Sequence, residues 1–267
     1  MIIGVSLIIL GVVIAGLGFA LSATGSSGSA QAERKAERAT AQSLGLSAAD
    51  VPRGWGQDNP ASSPLAGLLG TAPSSKPTPS EKKANDEVVS EYQRCMGISN
   101  KNDRMFGAAG TTPLVQVPSA PFGTSDGTSL IEVGTATQRY RSATTVAGDA
   151  RQARDPNFGV CFAQAMGRFV AAGADPTQAM ATPTVVTTSF GHPLGAQVSG
   201  AVVSVGIANG TGGFTQVEIG TALIIHDRTE QFLYTFSSPG SFPEAERQQL
   251  TALLAGRVAG IGNPRAA

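Results

Sequence analysis

From Ile2 to Ala23 the chain is apolar and carries no charge, IIGVSLIILGVVIAGLGFALSA. About 20 such residues cross a bilayer as one helix, so residues 1–23 predict a transmembrane anchor or signal segment. Polar residues then take over. Gln31 to Gln42 predicts a solvated helix, and Asn59 to Ser80, rich in Pro, Ser, Ala and Gly, predicts a linker; residues 24–80 together are expected to be a juxtamembrane segment and linker. Helical spacing returns from Ser80 to Met96, where Val88, Val89, Tyr92, Cys95 and Met96 share a face. Gly97 predicts the stop.

Beyond it the period changes. Leu114 to Phe122, bounded or cut by Pro113, Pro118 and Pro121, fits only an edge strand or loop. Ser129 to Ser142 alternates: Ile131, Val133, Thr135, Thr137 and Arg139 against Glu132, Gly134, Ala136, Gln138 and Tyr140. That predicts a strand. Thr144 to Arg154 predicts a short helix with Val146, Ala147 and Ala150 inward. Asp155 to Ala172 predicts a second, with Asp155 as N-cap and Pro156 at its first position. Its spacing sets Val160, Cys161, Gln164, Ala165, Arg168, Phe169 and Ala172 along one stripe.

Thr182 to Phe190 reads as strand-like. Three strands then follow in series, Ala196 to Ala208, Phe214 to His226 and Glu230 to Ser237, joined by Asn209–Gly213 and by His226–Thr229. Ser241-Phe-Pro-Glu244 reads as a capping box before a last helix, Pro243 to Gly260, with Leu250, Leu253, Leu254 and Val258 as its stripe. The order predicts an α+β domain over residues 81–262: an antiparallel sheet with helices packed on it.

Composition changes this picture in two places. Lys plus Arg equals Asp plus Glu, 19 each, so no general positive field exists for nucleic acid. The chain has 2 cysteines, Cys95 and Cys161. Behind an export segment they predict one disulfide closing a loop of about 65 residues, worth on the order of 4 kcal/mol. In a cytosolic chain they would instead be two small buried apolar residues.

The apolar run is longer than the core of a secretory signal peptide. Ala30-Gln31-Ala32 has the cleavage pattern but lies well past the run, so the favoured reading is an uncleaved anchor. No cysteine follows that run as a lipoprotein attachment site. Arg34, Lys35 and Arg38 would place the following chain in the cytoplasm. The cysteine pair and the linker favour the extracytoplasmic side, which is the side taken here.

Candidate chemistry is sparse. Gly123-Thr-Ser125-Asp-Gly127 matches G-x-S-x-G, but a nucleophile elbow needs a strand before it and a helix after it, and here a Pro-rich loop precedes and a strand follows. His192 and His226-Asp227 read as loop and turn residues. No catalytic residue, metal site or cofactor is expected. Trp55, Arg139 and Tyr140 form the candidate ligand-binding set. Their structural alternatives are a core anchor for Trp55 and an exposed sheet face for Arg139 and Tyr140.

Taken together, the anchor, the D-V-P-x-G-W element at Asp50 to Trp55, the Pro/Ser segment, the helix ending in Cys95, the strand closing on YRSATTVAGDA and the Cys161-Phe162 helix resemble a known group. They are similar to exported actinobacterial domains related to the extracellular sensor domain of PknH-type kinases and to LpqN-type lipoproteins. The resemblance covers about residues 43–261. It implies a PsbP-like α+β sandwich, a disulfide, and a cleft for an envelope lipid, a small ligand or a protein partner. The chain departs in having no kinase domain, no lipobox cysteine and only one cysteine pair. No catalytic residue carries over. The function expected is a membrane-anchored, non-catalytic, sensor-like extracytoplasmic domain. The alternative is an assembly factor docking a membrane complex, with a serine hydrolase a distant third.

Overall fold

The central strands of this protein are buried on both faces over most of their length, although polar residues are interspersed in each. The structure is a computed structural model and describes residues 28–59, 63–69, 79–98, 103–104, 107–108, 113–173, 184–186, 195–209 and 212–260. The expected anchor lies outside these. Among the described residues no helix is long and apolar enough to cross a membrane.

The elements in order are α1 (Gly28–Leu44), β1 (Gly56–Gln57), α2 (Ala66–Leu69), α3 (Pro79–Cys95), β2 (Asp103–Arg104), β3 (Gly107–Ala108), β4 (Val115–Pro118), β5 (Phe122–Ser125), β6 (Leu130–Arg139), α4 (Ala143–Arg154), α5 (Phe158–Gly173), β7 (Thr184–Val186), β8 (Gln197–Ala208), β9 (Phe214–His226), β10 (Thr229–Ser238) and α6 (Glu244–Val258). The main sheet runs β1-β5-β6-β10-β9-β8-β7, with β4 also paired to β6. All of its pairings are antiparallel. β2 and β3 form a separate small ribbon. The α+β class expected from the sequence is therefore observed.

β4 and β5 share one side of β6, meeting Arg139–Ala136 and Val133–Leu130 respectively. The break between them accommodates Pro118 and Pro121, which would interrupt a continuous ladder. Ser119 bridges the gap: its N–H donates to the Thr135 carbonyl and its hydroxyl accepts from the Thr135 N–H.

One face of the sheet carries Ala136, Val203, Val205, Val217, Ile219, Leu223, Phe232 and Phe236, packed with Leu65, Leu68 and Leu69, Tyr92 of α3, Val146 of α4, and Phe158, Cys161 and Phe162 of α5. The other carries Val133, Ile224 and Leu233, packed with Leu46, Val51, Trp55, Phe242 and, from α6, Leu250, Leu254 and Val258. The alternation read in β6 places these sets on opposite sides. The helices thus lie on both faces.

Cys95 and Cys161 are joined, with Cα atoms 5.5 Å apart, and fasten α3 to α5. α3 ends as expected. Gly97 takes φ +66°, and the N–H groups of Gly97 and Ile98 return to the carbonyls of Arg94 and Gln93.

Several local expectations are corrected. α5 starts at Phe158, not Pro156. Asp155 closes α4 in an extended conformation (φ −63°, ψ 131°), as a residue before proline prefers, and its Oδ1 holds the Asn157 N–H of the intervening turn. The buried face of α5 is Phe158, Cys161, Phe162 and Ala165, whereas Val160, Gln164 and Arg168 are exposed. The capping box at Ser241–Glu244 does not form. Pro243 precedes α6 with no side-chain cap, and the Glu244 carboxylate accepts from Arg247 and Gln248 instead. Finally, much of the stretch expected as juxtamembrane segment and linker is packed: Ala41 and Leu46 are buried, β1 joins the sheet, and Leu65, Leu68 and Leu69 sit in the core.

Candidate functional site

α4 is a helix whose two sides do different work. Ser142 caps its start, accepting the Thr144 N–H. Val146, Asp149 and Ala153 face the sheet. Its small residues Ala143, Ala147 and Ala150, with Val146 and Arg154, form one wall of an open cleft of about 280 Å³. Gly195, Gln197, Ile225, His226 and Asp227 form the other wall. Ala147, expected inward, is exposed because it faces this cleft.

Polar groups order the cleft's rim. The Gln197 amide donates to the Ala150 carbonyl at 2.9 Å, and its Oε1 accepts from Arg154 Nε at 2.8 Å. His226 Nδ1 lies 2.5 Å from the Gly195 carbonyl. Asp227, in the left-handed region at φ 50°, turns the chain into β10. The cleft thus offers an apolar wall of alanine, valine and isoleucine methyls beside Arg154 and His226, with Asp227 as the acidic group of the lining.

Beneath the α4 wall lies a buried acidic cluster. Glu230, wholly buried on β10, faces Asp149 from α4 and Tyr140 at the end of β6. Burial first, then the charge and hydrogen bond of Asp149, push the Glu230 carboxyl well above the usual range. Burial and the same two acids raise the Tyr140 phenol. The Tyr140 hydroxyl lies 2.7 Å from Gln138 Oε1 and 3.1 Å from Glu230 Oε2.

A second acidic pair sits toward the opposite end of β6. Ser63 Oγ donates to Glu132 Oε2 at 2.6 Å and accepts the Leu65 N–H at 3.0 Å. Burial, opposed by the Ser63 hydrogen bond and reinforced by Asp58, lifts the Glu132 carboxyl to about 7. The β6 backbone and this pair together leave no room for a side chain at Gly123. A Cβ there would lie 2.3 Å from the Ile131 carbonyl oxygen and 2.9 Å from Asp58 Oδ2.

The three candidate ligand residues do not converge. Trp55 packs edge-on against Phe242, ring centroids 5.9 Å apart, on the α6 side of the sheet. Arg139 is ion-paired to Glu37 of α1 at 2.6 Å and donates to Thr229 Oγ1. Arg228 grips the same Glu37 at 2.5 Å. Tyr140 alone lies on the cleft's side of the sheet, buried below it. Its neighbours Asp149 and Glu230, and the cleft residues Arg154 and Gln197, carry no signal in a linear pattern, because they meet only through the folded sheet.

The G-x-S-x-G string is a turn. Ser125 Oγ accepts the Gly127 N–H, and Asp126 Oδ1 accepts from Thr128 and Ser129. Ser125 aligns with Leu130 at one end of β6, whereas His226 aligns with Thr229, itself opposite Arg139 at the other end. Nine residues of strand put them about 30 Å apart, which removes a Ser125–His226 dyad. His192 lies outside the described residues. Among the described residues no group of three or more His, Cys, Asp or Glu side chains could hold a metal ion. Protein-family models, curated proteins and solved structures show no match to this chain.

Proposed function

We propose that this chain is a membrane-anchored, non-catalytic binding domain on the extracytoplasmic side, and that its cleft between α4 and the β8–β9 end takes a small ligand with an apolar body and an anionic end. The observation that carries the reading is the cleft lining: methyl groups of Ala143, Val146, Ala147, Ala150 and Ile225 beside the cation of Arg154. The Cys95–Cys161 bond supports an oxidising compartment. The apolar run Ile2 to Ala23 supports attachment to the membrane. The resemblance to sensor-like envelope domains points the same way.

The test is a methyl NMR titration with hexanoate, with hexylamine as the control. Saturable shifts at Val146 and Ile225 with hexanoate only, weakened about tenfold by Arg154→Ala, are expected. Equal responses to both probes, or none, would overturn the ligand class.

A further inference from the structure

We propose that α1 lies along the bilayer surface beside the anchor, and that Arg34, Lys35 and Arg38 on its exposed side bind the headgroups of anionic lipids. This inference rests on the anchored reading above and adds how the domain is held against the membrane.

The chain as a whole is balanced, with 19 basic and 19 acidic residues. α1 does not present its charges evenly. Its two carboxylates are Glu33 and Glu37, and its cations are Arg34, Lys35 and Arg38. Glu37 is turned inward: its side chain is 12% exposed, and its two oxygens accept from Arg139 and Arg228. Arg34, Lys35 and Arg38 are all exposed, and among the described residues none of them has an ion-pair partner.

Helical geometry gathers these cations. At 3.6 residues per turn they fall within about 100° of arc. Glu37 and the buried Ala41 lie to one side of that arc, toward the sheet, and Glu33 lies beyond them on the far flank. The stripe is therefore not neutralised by the helix's own acids. α1 has no large apolar residue before Leu44, so the stripe suits headgroups rather than the acyl layer.

Position along the chain supplies the partner. The apolar run ends at Ala23 and α1 begins at Gly28. Five peptide steps reach at most about 18 Å. Arg34 follows about 9 Å along the helix. With the run spanning a bilayer, this short tether keeps the cations close to the headgroup layer. Each cation is drawn to an anionic surface over about 10 Å at moderate salt, and cations on one side act together. The two arginines also offer planar forks that match phosphate oxygens. On the extracytoplasmic side, Arg34, Lys35 and Arg38 thus have a role other than setting the orientation of the anchor.

The experiment places the full chain in nanodiscs of phosphatidylcholine, with and without about 30% phosphatidylglycerol. Both carry a trace of lipid with a gadolinium chelate on its headgroup, so that amide relaxation reports closeness to the bilayer surface. Relaxation enhancement across Arg34–Arg38 is expected to be at least about twofold greater with phosphatidylglycerol, and to fall to the phosphatidylcholine level at about 0.5 M salt. α5, which packs the other face of the sheet, should not respond to lipid charge. Arg34→Gln, Lys35→Gln and Arg38→Gln together should abolish the difference, and the lipid and salt comparisons stand without that variant. Equal enhancement in the two lipids, or a difference that survives the triple substitution, would overturn the docking. Flotation with phosphatidylcholine vesicles tests the anchor separately. A chain that floats but shows no lipid-dependent contact of α1 overturns the docking alone, whereas a chain that does not float overturns the anchor and the docking with it.

Discussion

Glu132 and Asp50 show how opposite surroundings give two carboxylates opposite pH dependence. Glu132 is buried against Ser63 and Asp58 and sits at about 7, above the ordinary 4.5. The folded state therefore holds that proton more tightly than the unfolded chain. Its contribution is complete below about pH 4.5 and is lost as pH rises through about 7. Asp50 is lowered: burial raises it, but hydrogen bonds from Arg257 and Ser47, with the Arg257 charge, outweigh burial. Glu37 is lowered likewise, with Arg139 and Arg228 overcoming burial. Their contributions are present above the ordinary carboxylate range and fade as pH falls through it. Stability is thus expected to peak near pH 5. Glu132→Gln should stabilise the fold at pH 8 by about 1–3 kcal/mol and change it little at pH 4.5. Urea denaturation at the two pH values checks this, and equal effects at both would contradict it. Arg257→Ala should cost about 3 kcal/mol at pH 7 by urea denaturation, because it leaves Asp50, 8% exposed in its side chain, as a buried charge without its cation. None of these acids was legible in the sequence. Glu132, a polar residue in an alternating strand, reads as a solvent-facing position, while Glu37 on a polar helix and Asp50 in a turn meet their arginines only through the fold.

At the scale of elements the periodic signals did most of the work. β6, β8, β9 and β10 and helices α3, α4 and α6 lie close to where alternation, helical spacing and glycine stops put them. The misplacements have local causes. Asp155–Pro156 looked like a helix start, but the chain must turn a corner between α4 and α5 there. Ser241 looked like a cap, but Arg247 draws Glu244 away and reaches Glu218 and Thr235 beneath α6. Gln31–Gln42 reads as a helix and lies within α1, but residues 24–80 read as a juxtamembrane segment and linker outside the domain because Asn59–Ser80 is rich in Pro, Ser, Ala and Gly. A few well-placed contacts hold residues 28–59 and 63–69: Glu37 on two arginines, Asp50 on Arg257, and Leu65 and Leu69 in the core. Glu37→Ala should therefore raise amide exchange throughout α1 while leaving β9 and β10 protected. Unchanged exchange in α1 would show that the ion pairs do not hold it. Replacing both cysteines with alanine should lower stability by about 4 kcal/mol in the chain-entropy account, since the bond spans 66 residues of sequence. A loss below about 1 kcal/mol would mean that the α3–α5 packing alone suffices.

For the whole molecule, the cysteine pairing was legible because 2 cysteines allow one pair. The cleft was not, because its walls come from α4 and from strand ends more than 40 positions away in sequence, such as Arg154 and Gln197. The central claim is that this disulfide-stapled domain works outside the cytoplasm. The most direct test is labelling of Cys95 and Cys161 in intact cells with a membrane-impermeant thiol reagent, with and without prior reduction. Labelling that requires reduction but not lysis is the predicted result. Free thiols that label only after lysis would contradict it, and would mean that Arg34, Lys35 and Arg38 had set the opposite topology.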